Sequence, residues 1–88
     1  SSSEITALYK SKLVKNAKLV DLTGGFGVDD FYFAKEAKEV VHCELNPQLS
    51  AIAQHNNQLL GAQNIAYYTG DSHEYLQKIK QTDIIYTD

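Results

Sequence analysis

The segment "LVDLTGGFGVDD", residues 19–30, places three glycines, Gly24, Gly25 and Gly27, within four positions between an apolar run and an aromatic one. Glycine loses more backbone freedom on folding than any other residue. A cluster of them therefore marks positive φ angles or a close approach of bare backbone to something else. "AKLVDL" (17–22), just before the cluster, reads as a short buried strand with turn residues after it. "DDFYFAKEA" (29–37), just after it, reads as a helix with acids in its first turn, where the helix dipole favours them. A strand, a glycine turn and a helix in succession open a βαβ unit.

The chain continues the alternation. "KEVVHCEL" (38–45) is a second strand rich in β-branched residues. "NPQLSAIAQHNNQLLG" (46–61) is the most explicit helix, with Asn46 as N-cap and Pro47 at the first helical position. Leu49, Ile52, Ala53, Leu59 and Leu60 form its expected apolar stripe, and Gly61 stands where a left-handed C-terminal residue is wanted. "NIAYYT" (64–69) is a third strand, and "DIIYT" (83–87) a fourth. Between them "GDSHEYLQKIK" (70–80) predicts a helix with Tyr75, Leu76 and Ile79 inward and Asp71 and Glu74 at capping-box spacing. "SSSEITALYKSKLV" (1–14) predicts a leading helix, with Ser1 and Glu4 at the same spacing and Ile5, Leu8, Tyr9 and Lys12 on one face.

Strands alternating with helices through short turns define the class as α/β, a Rossmann-like parallel sheet with helices on both faces. Right-handed crossovers give the strand order 3-2-1-4, with the fourth strand crossing to the far side of the first. That crossing leaves a crevice at the carboxyl ends of the strands, where open α/β sheets bind ligands. The glycine turn lies on it.

Bulk properties narrow the field. A chain of 88 residues, 43% hydrophobic, supports one domain at most. Its missing initiator methionine and its end on "IIYTD" read as a piece of a larger protein, with residues 1–88 a truncated portion of one domain. A net charge of -3 gives no electrostatic footprint for nucleic acid. Cys43 is the single cysteine, which excludes an internal disulfide and fits a reducing compartment. No apolar run approaches the ~20 residues that span a bilayer, and no signal-peptide pattern opens the chain, so a cytoplasmic location with no membrane partner is expected. His42, His55, His73 and Cys43 are scattered without zinc-ligand spacing, so no metal is expected. His55 reads as solvent-facing, Cys43 as a packed, inert thiol, and Phe26, Phe31, Tyr32 and Phe33 as core and pocket wall.

Two cofactor classes use a glycine turn in this position. A dinucleotide wants GxGxxG, but after Gly25 and Gly27 the third glycine falls on Asp30. Asp29 and Asp30 would also set two negative charges where the pyrophosphate docks. S-adenosylmethionine carries no phosphate and needs only close backbone approach. The stretch Asp21-Leu22-Thr23-Gly24-Gly25-Phe26-Gly27 resembles the glycine loop of class I S-adenosylmethionine-dependent methyltransferases, roughly (D/E)xGxGxG, with Thr23 in place of the first glycine. The resemblance implies that Asp21 orients the amino group of the cofactor, and that backbone from Thr23 through Gly24, Gly25 and Gly27 lines its methionine part. Glu44, at the end of the second strand, would accept both ribose hydroxyls, a feature dinucleotide folds share. Leu45 would lie against the adenine. In "TGDSHEYL", Asp71 would take the adenine amine and the Ser72 amide a ring nitrogen. Asp71 as a helix N-cap competes with that role, though one carboxylate can cap and bind at once.

Methyltransferases acting on nucleobase amines carry a motif after strand four that begins with Asp or Asn, and Asp88 stands there as the candidate catalytic residue. The wording "SSSEITALYK…LVDLTGGFGVDDFYFA…ELNP…GD…IIYTD" is similar to bacterial RNA methyltransferases with an additional THUMP-like domain. RNA, contacted through regions outside this chain, is the substrate that resemblance implies. Two other readings remain open from the residues: half of a nicotinamide-dependent oxidoreductase, and a non-catalytic scaffold or RNA-binding module.

Overall fold

The computed structural model describes residues 15–79 and 82–87. The helix expected over 1–14 and the candidate Asp88 lie outside the described residues. Within them the chain runs β1 (Lys18–Asp21), α1 (Val28–Ala34), β2 (Glu39–Glu44), α2 (Pro47–Leu59), β3 (Ile65–Thr69), α3 (Ser72–Lys78) and β4 (Ile84–Tyr86). All strand pairs are parallel and the order is β3-β2-β1-β4. The α/β class and the strand order read from the alternation both hold.

Strand pleating sorts the side chains into two layers. Leu19 of β1 and Val40 of β2 pack with Phe33 and Ala37, and Ile65, Ile84 and Tyr86 close around them. Val20, Val41 and Cys43 face the opposite way, against Tyr68 and against Tyr75, Leu76 and Ile79 in and just after α3. One face thus carries α1 and the other α3. Helix α2 joins the α1 face, where the Thr69 hydroxyl donates to the Ser50 hydroxyl at 2.9 Å. Fully burying a Leu, Val or Phe side chain contributes roughly 1.5–3 kcal/mol, so these few side chains hold the three layers together.

Caps fix the helix ends that position the loops. The Asn46 side chain accepts from the Gln48 and Leu49 amides, the N-cap the sequence predicts, and Gly61 closes α2 at φ +86°. Asp71 caps α3 by accepting from the His73 amide at 2.8 Å, while Glu74 stays exposed, so the capping box is only half formed. At the far end of α1, the Asn64 amide donates to the Ala34 and Ala37 carbonyls at 2.8 and 3.0 Å.

Two packing expectations are corrected. The face that α2 buries is Ser50, Ala53 and Asn57, whereas Ile52, Leu59 and Leu60 are exposed. The reason is proximity: a Cβ placed on Gly27 would lie 3.1 Å from both the Ala53 Cβ and the Asn57 side chain. Small residues are needed where helix and glycine turn meet, and the large aliphatics are displaced outward. Phe26, 58% exposed, is likewise outside the core, and of the aromatics read as core and pocket wall Phe33 is fully buried while Phe26, Phe31 and Tyr32 line a groove.

Candidate functional site

Parallel pairing brings the strand tips to one edge, and two backbone bonds past the strands tie them there. The Leu22 amide donates to the Tyr86 carbonyl and the Gly70 amide to the Glu44 carbonyl, both at 2.9 Å. The glycine turn then folds back over β2. Gly24 lies at φ +68°, and a Cβ there would sit 2.4 Å from the Glu44 Oε1 and 2.9 Å from the Cys43 carbonyl oxygen. This is the close approach that the glycine cluster announces, and it is made to β2.

Glu44 is the hub. Its Oε1 accepts the Gly25 amide and its Oε2 the Asn46 amide, each at 2.6 Å. Partial desolvation pushes its carboxyl up, but those bonds from Asn46 and Gly25 outweigh it and hold the group below the usual carboxylate range. Glu44 is therefore an anion locked in orientation, with lone pairs left for further donors.

Beside it a cavity of about 280 Å³ opens, lined by Thr23, Glu44, Leu45, Asp71 and Ser72 together with Leu22, Cys43 and Gly70. Five of the nine cofactor-binding candidates read from sequence thus meet in one place, from the tips of three successive strands. Gly24, Gly25 and Gly27 shape the turn without lining the cavity. Asp21 does not reach it either: it is buried behind the turn, and its Oδ1 accepts from the Thr23 amide at 2.8 Å and the Thr23 hydroxyl at 2.5 Å.

Among the described residues no lysine lines the cavity, and its polar groups are acids and small donors suited to hydroxyls and amines. A larger groove of about 460 Å³ on the outer side of α1 and α2, between Phe26, Phe31, Tyr32, Leu59 and Leu60, is mainly apolar and contains no acid. Cys43 borders the cavity, but burial pushes its thiol up to about 11, so it stays protonated and inert as expected.

A buried group that sequence reading missed lies behind Asp21. Asp30 and His42 are both fully buried and joined at 2.5 Å between Asp30 Oδ2 and His42 Nδ1. Burial, then the hydrogen bond and charge of Asp21, raise the Asp30 carboxyl to about 11, and burial lowers the His42 imidazole, so both are neutral. This corrects the use of Asp29 and Asp30 as two charges facing a pyrophosphate. Asp30 points into the protein uncharged, and Asp29 accepts from the Tyr86 hydroxyl at 2.8 Å. The case against a phosphate ligand rests instead on Glu44 and Asp71, the two acids that line the cavity. The only sequence signal for the pair is that Val40, His42 and Glu44 alternate onto the face covered by α1, which puts an imidazole among apolar side chains.

A 3-2-1-4 parallel sheet with a glycine turn and strand-tip acids around one cavity defines a Rossmann-like domain with its ligand crevice at the strand ends. Residues 16–88 match the family of RNA cap guanine-N2 methyltransferases, and the chain belongs to that family. Solved structures agree in fold. A protein assigned as a methyltransferase from Porphyromonas gingivalis W83 is 37% identical, with a TM-score of 0.79 over 96% of this chain and 22% of that one. A precorrin 8W decarboxylase from Methanobacterium thermoautotrophicum is 26% identical, with a TM-score of 0.82 over 94% of this chain and 47% of that one. A protein from Streptococcus mutans assigned as a methyltransferase, in complex with SAH, is 17% identical, with a TM-score of 0.80 over 96% of this chain and 49% of that one. This chain therefore spans half or less of the length of each. No curated protein matches it. Among the described residues no helix is long and apolar enough to cross a membrane.

Proposed function

We propose that residues 1–88 are the S-adenosylmethionine-binding portion of a methyltransferase domain whose acceptor is RNA. The observation that carries this reading is the convergence of Thr23, Glu44, Leu45, Asp71 and Ser72 on one cavity. The acceptor class is supported by the family, RNA cap guanine-N2 methyltransferases, and the cofactor by the SAH held in the Streptococcus mutans relative of the same fold.

When bound, S-adenosylmethionine supplies a methyl group on a sulfonium, which passes to a nucleophile as the bonding pair returns to sulfur. The residues of the chain orient the donor. Glu44, already fixed by two amides, accepts the ribose hydroxyls; Asp71 accepts the adenine amine while its other lone pairs cap α3; the Ser72 amide meets a ring nitrogen; and Leu45, 72% exposed, covers the adenine face. Asp21 acts through Thr23, whose amide and hydroxyl it holds. Alignment of this kind can lower a bimolecular barrier by ~7–11 kcal/mol, and transfer from a sulfonium asks little more of a protein. Asp88 follows β4, which ends at the same sheet edge, and we assign it the positioning of the acceptor. With a net charge of -3 on this chain, the cationic contacts to RNA fall to other parts of the protein, a THUMP-like domain among them, in the cytoplasm.

Calorimetry with S-adenosylhomocysteine and with NAD tests the proposal. S-adenosylhomocysteine is expected to bind, and Glu44→Ala and Asp71→Ala each to weaken it by ~1–3 kcal/mol with the circular dichroism unchanged. Binding of NAD alone overturns the cofactor assignment. Labelled methyl transfer by the intact protein to RNA tests the acceptor, and cofactor binding with no transfer to RNA counts against it.

A further inference from the structure

The buried pair Asp30–His42 is unexplained by the ligand pocket alone. It sits in line with Asp21: one oxygen or nitrogen from each of Asp21, Asp30 and His42 lies within 4.8 Å of the other two, and all three residues are buried. Asp21 in turn holds the amide and hydroxyl of Thr23, which lines the cavity. His42, Asp30 and Asp21 thus form one buried cluster that reaches the rim of the pocket through Thr23.

Among the described residues, Asp30 Oδ1 is fully buried and finds no donor. The charged groups acting on Asp30 are the carboxylates of Asp21 and Asp29, with Tyr67 of β3 nearby and Glu44 acting on His42 from further along β2. A buried carboxyl that has the Asp21 carboxylate within 4.8 Å and one oxygen without a donor is accounted for when it carries the proton itself. It then donates to Asp21 while Oδ2 accepts from His42 Nδ1. Two carboxylates this close in a dry interior cannot both ionise. A cation bridging the three residues fits less well, since ligands sharing one ion at about 2.0–2.2 Å sit roughly 3 Å apart, and Asp30 Oδ2 and His42 Nδ1 are at 2.5 Å.

We propose that Asp30 and His42 are positioning residues. The carboxylic acid of Asp30, bridging the His42 ring to the Asp21 carboxylate, fixes Asp21 and through it the Thr23 turn over the cofactor cavity. The relay rests on the cofactor reading above. With that proton in place Asp30 donates toward Asp21 instead of repelling it, and Asp21 Oδ1 keeps both Thr23 donors. Neither Asp30 nor His42 touches the ligand.

The test uses the intact protein with three readouts. At neutral pH the infrared spectrum of the parent is expected to show a carboxylic-acid carbonyl band that disappears in Asp30→Asn. Asp30→Leu, which can neither donate nor accept, is expected to weaken S-adenosylhomocysteine binding by about tenfold or more. Asp30→Asn, whose amide donates to Asp21 and accepts from His42, is expected to restore most of that loss. Absence of the acid band, a stoichiometric metal retained by the parent, or equal damage from Asn and Leu overturns the relay. Should Asp30→Leu fail to fold, the infrared band and Asp30→Asn still decide it. A parent that shows the band but binds no S-adenosylhomocysteine refutes the cofactor reading instead, while unchanged affinity in Asp30→Leu refutes the relay alone.

Discussion

At the scale of single residues, two positions show how backbone freedom and burial serve the pocket. Gly24 combines φ +68° with the near contact to Glu44 and to the Cys43 carbonyl. Gly24→Ala sets a side chain against backbone that cannot yield, on a conformation that costs non-glycine residues about 1 kcal/mol or more. We expect it to displace Glu44 and weaken S-adenosylhomocysteine binding by about tenfold or more, measured by calorimetry. Asp30 reports through pH. Its folded carboxyl titrates at about 11 against 3.8 unfolded, so the folded state holds a proton that the unfolded state loses, and this group lowers stability as pH rises between those values. His42 works in the opposite sense, but only below its unfolded value of 6.5, because its folded pKa is lowered. Above pH 6.5 the Asp30 contribution continues, joined towards pH 9 by that of Cys43, whose thiol burial also raises, and comparison of Asp30→Asn with its parent isolates the Asp30 part. The stability advantage of Asp30→Asn over the parent is expected to grow from pH 6.5 to about pH 9, by at most ~1.4 kcal/mol per unit. Urea denaturation of both proteins across that range checks it; a constant difference contradicts a neutral Asp30.

At the scale of elements, helices of only 7 residues such as α1 and α3 cannot persist by propensity, so their ends must be held from outside. Helix α1 is closed at its C-terminal end by Asn64, which lies just before β3 and donates to two carbonyls of the α1–β2 connection. Asn64→Ala leaves both carbonyls without these donors in a half-buried place. It is expected to cost about 1–2 kcal/mol in chemical denaturation, with ligand affinity at the opposite sheet edge unchanged. A loss below a few tenths of a kcal/mol would mean that water replaces the asparagine. The elements were readable in the sequence because each has a local signal: Asn46-Pro47 at the start of α2, Gly61 at its end, and β-branched runs in the strands. Which face α2 buries was not, because that depends on Gly27 of a different element meeting Ala53 and Asn57. Helical periodicity singles out large apolar residues, and here small and polar ones make the contact.

At the scale of the whole molecule, the described residues place two helices on one face of the four parallel strands and one on the other. Ile85 is 51% exposed on the α3 face, and among the described residues β3 and β4 each have one unpaired edge. Exposed edges beside apolar surface recruit other chains. The 88-residue chain alone is expected to associate in a concentration-dependent way in sedimentation velocity, and Ile85→Lys to reduce that association. A monomer at all concentrations contradicts the expectation. Among the described residues the cavity is bounded from the tips of β1, β2 and β3.

The linear sequence was enough for the alternation of elements, and chirality then dictates which face of the sheet each crossover helix covers once the strand order is set, because crossover handedness is a property of L-amino acids rather than of this chain. It also sufficed for the candidate residues at the tips of β1, β2 and β3, since parallel pairing necessarily brings those tips to one edge. Tertiary structure alone decided that Asp21 faces inward, that Asp30 and His42 lie behind it, and that they are neutral. Protonation depends on which groups share a dry interior, and residues 21, 30 and 42 share one only after α1 has folded over β1 and β2.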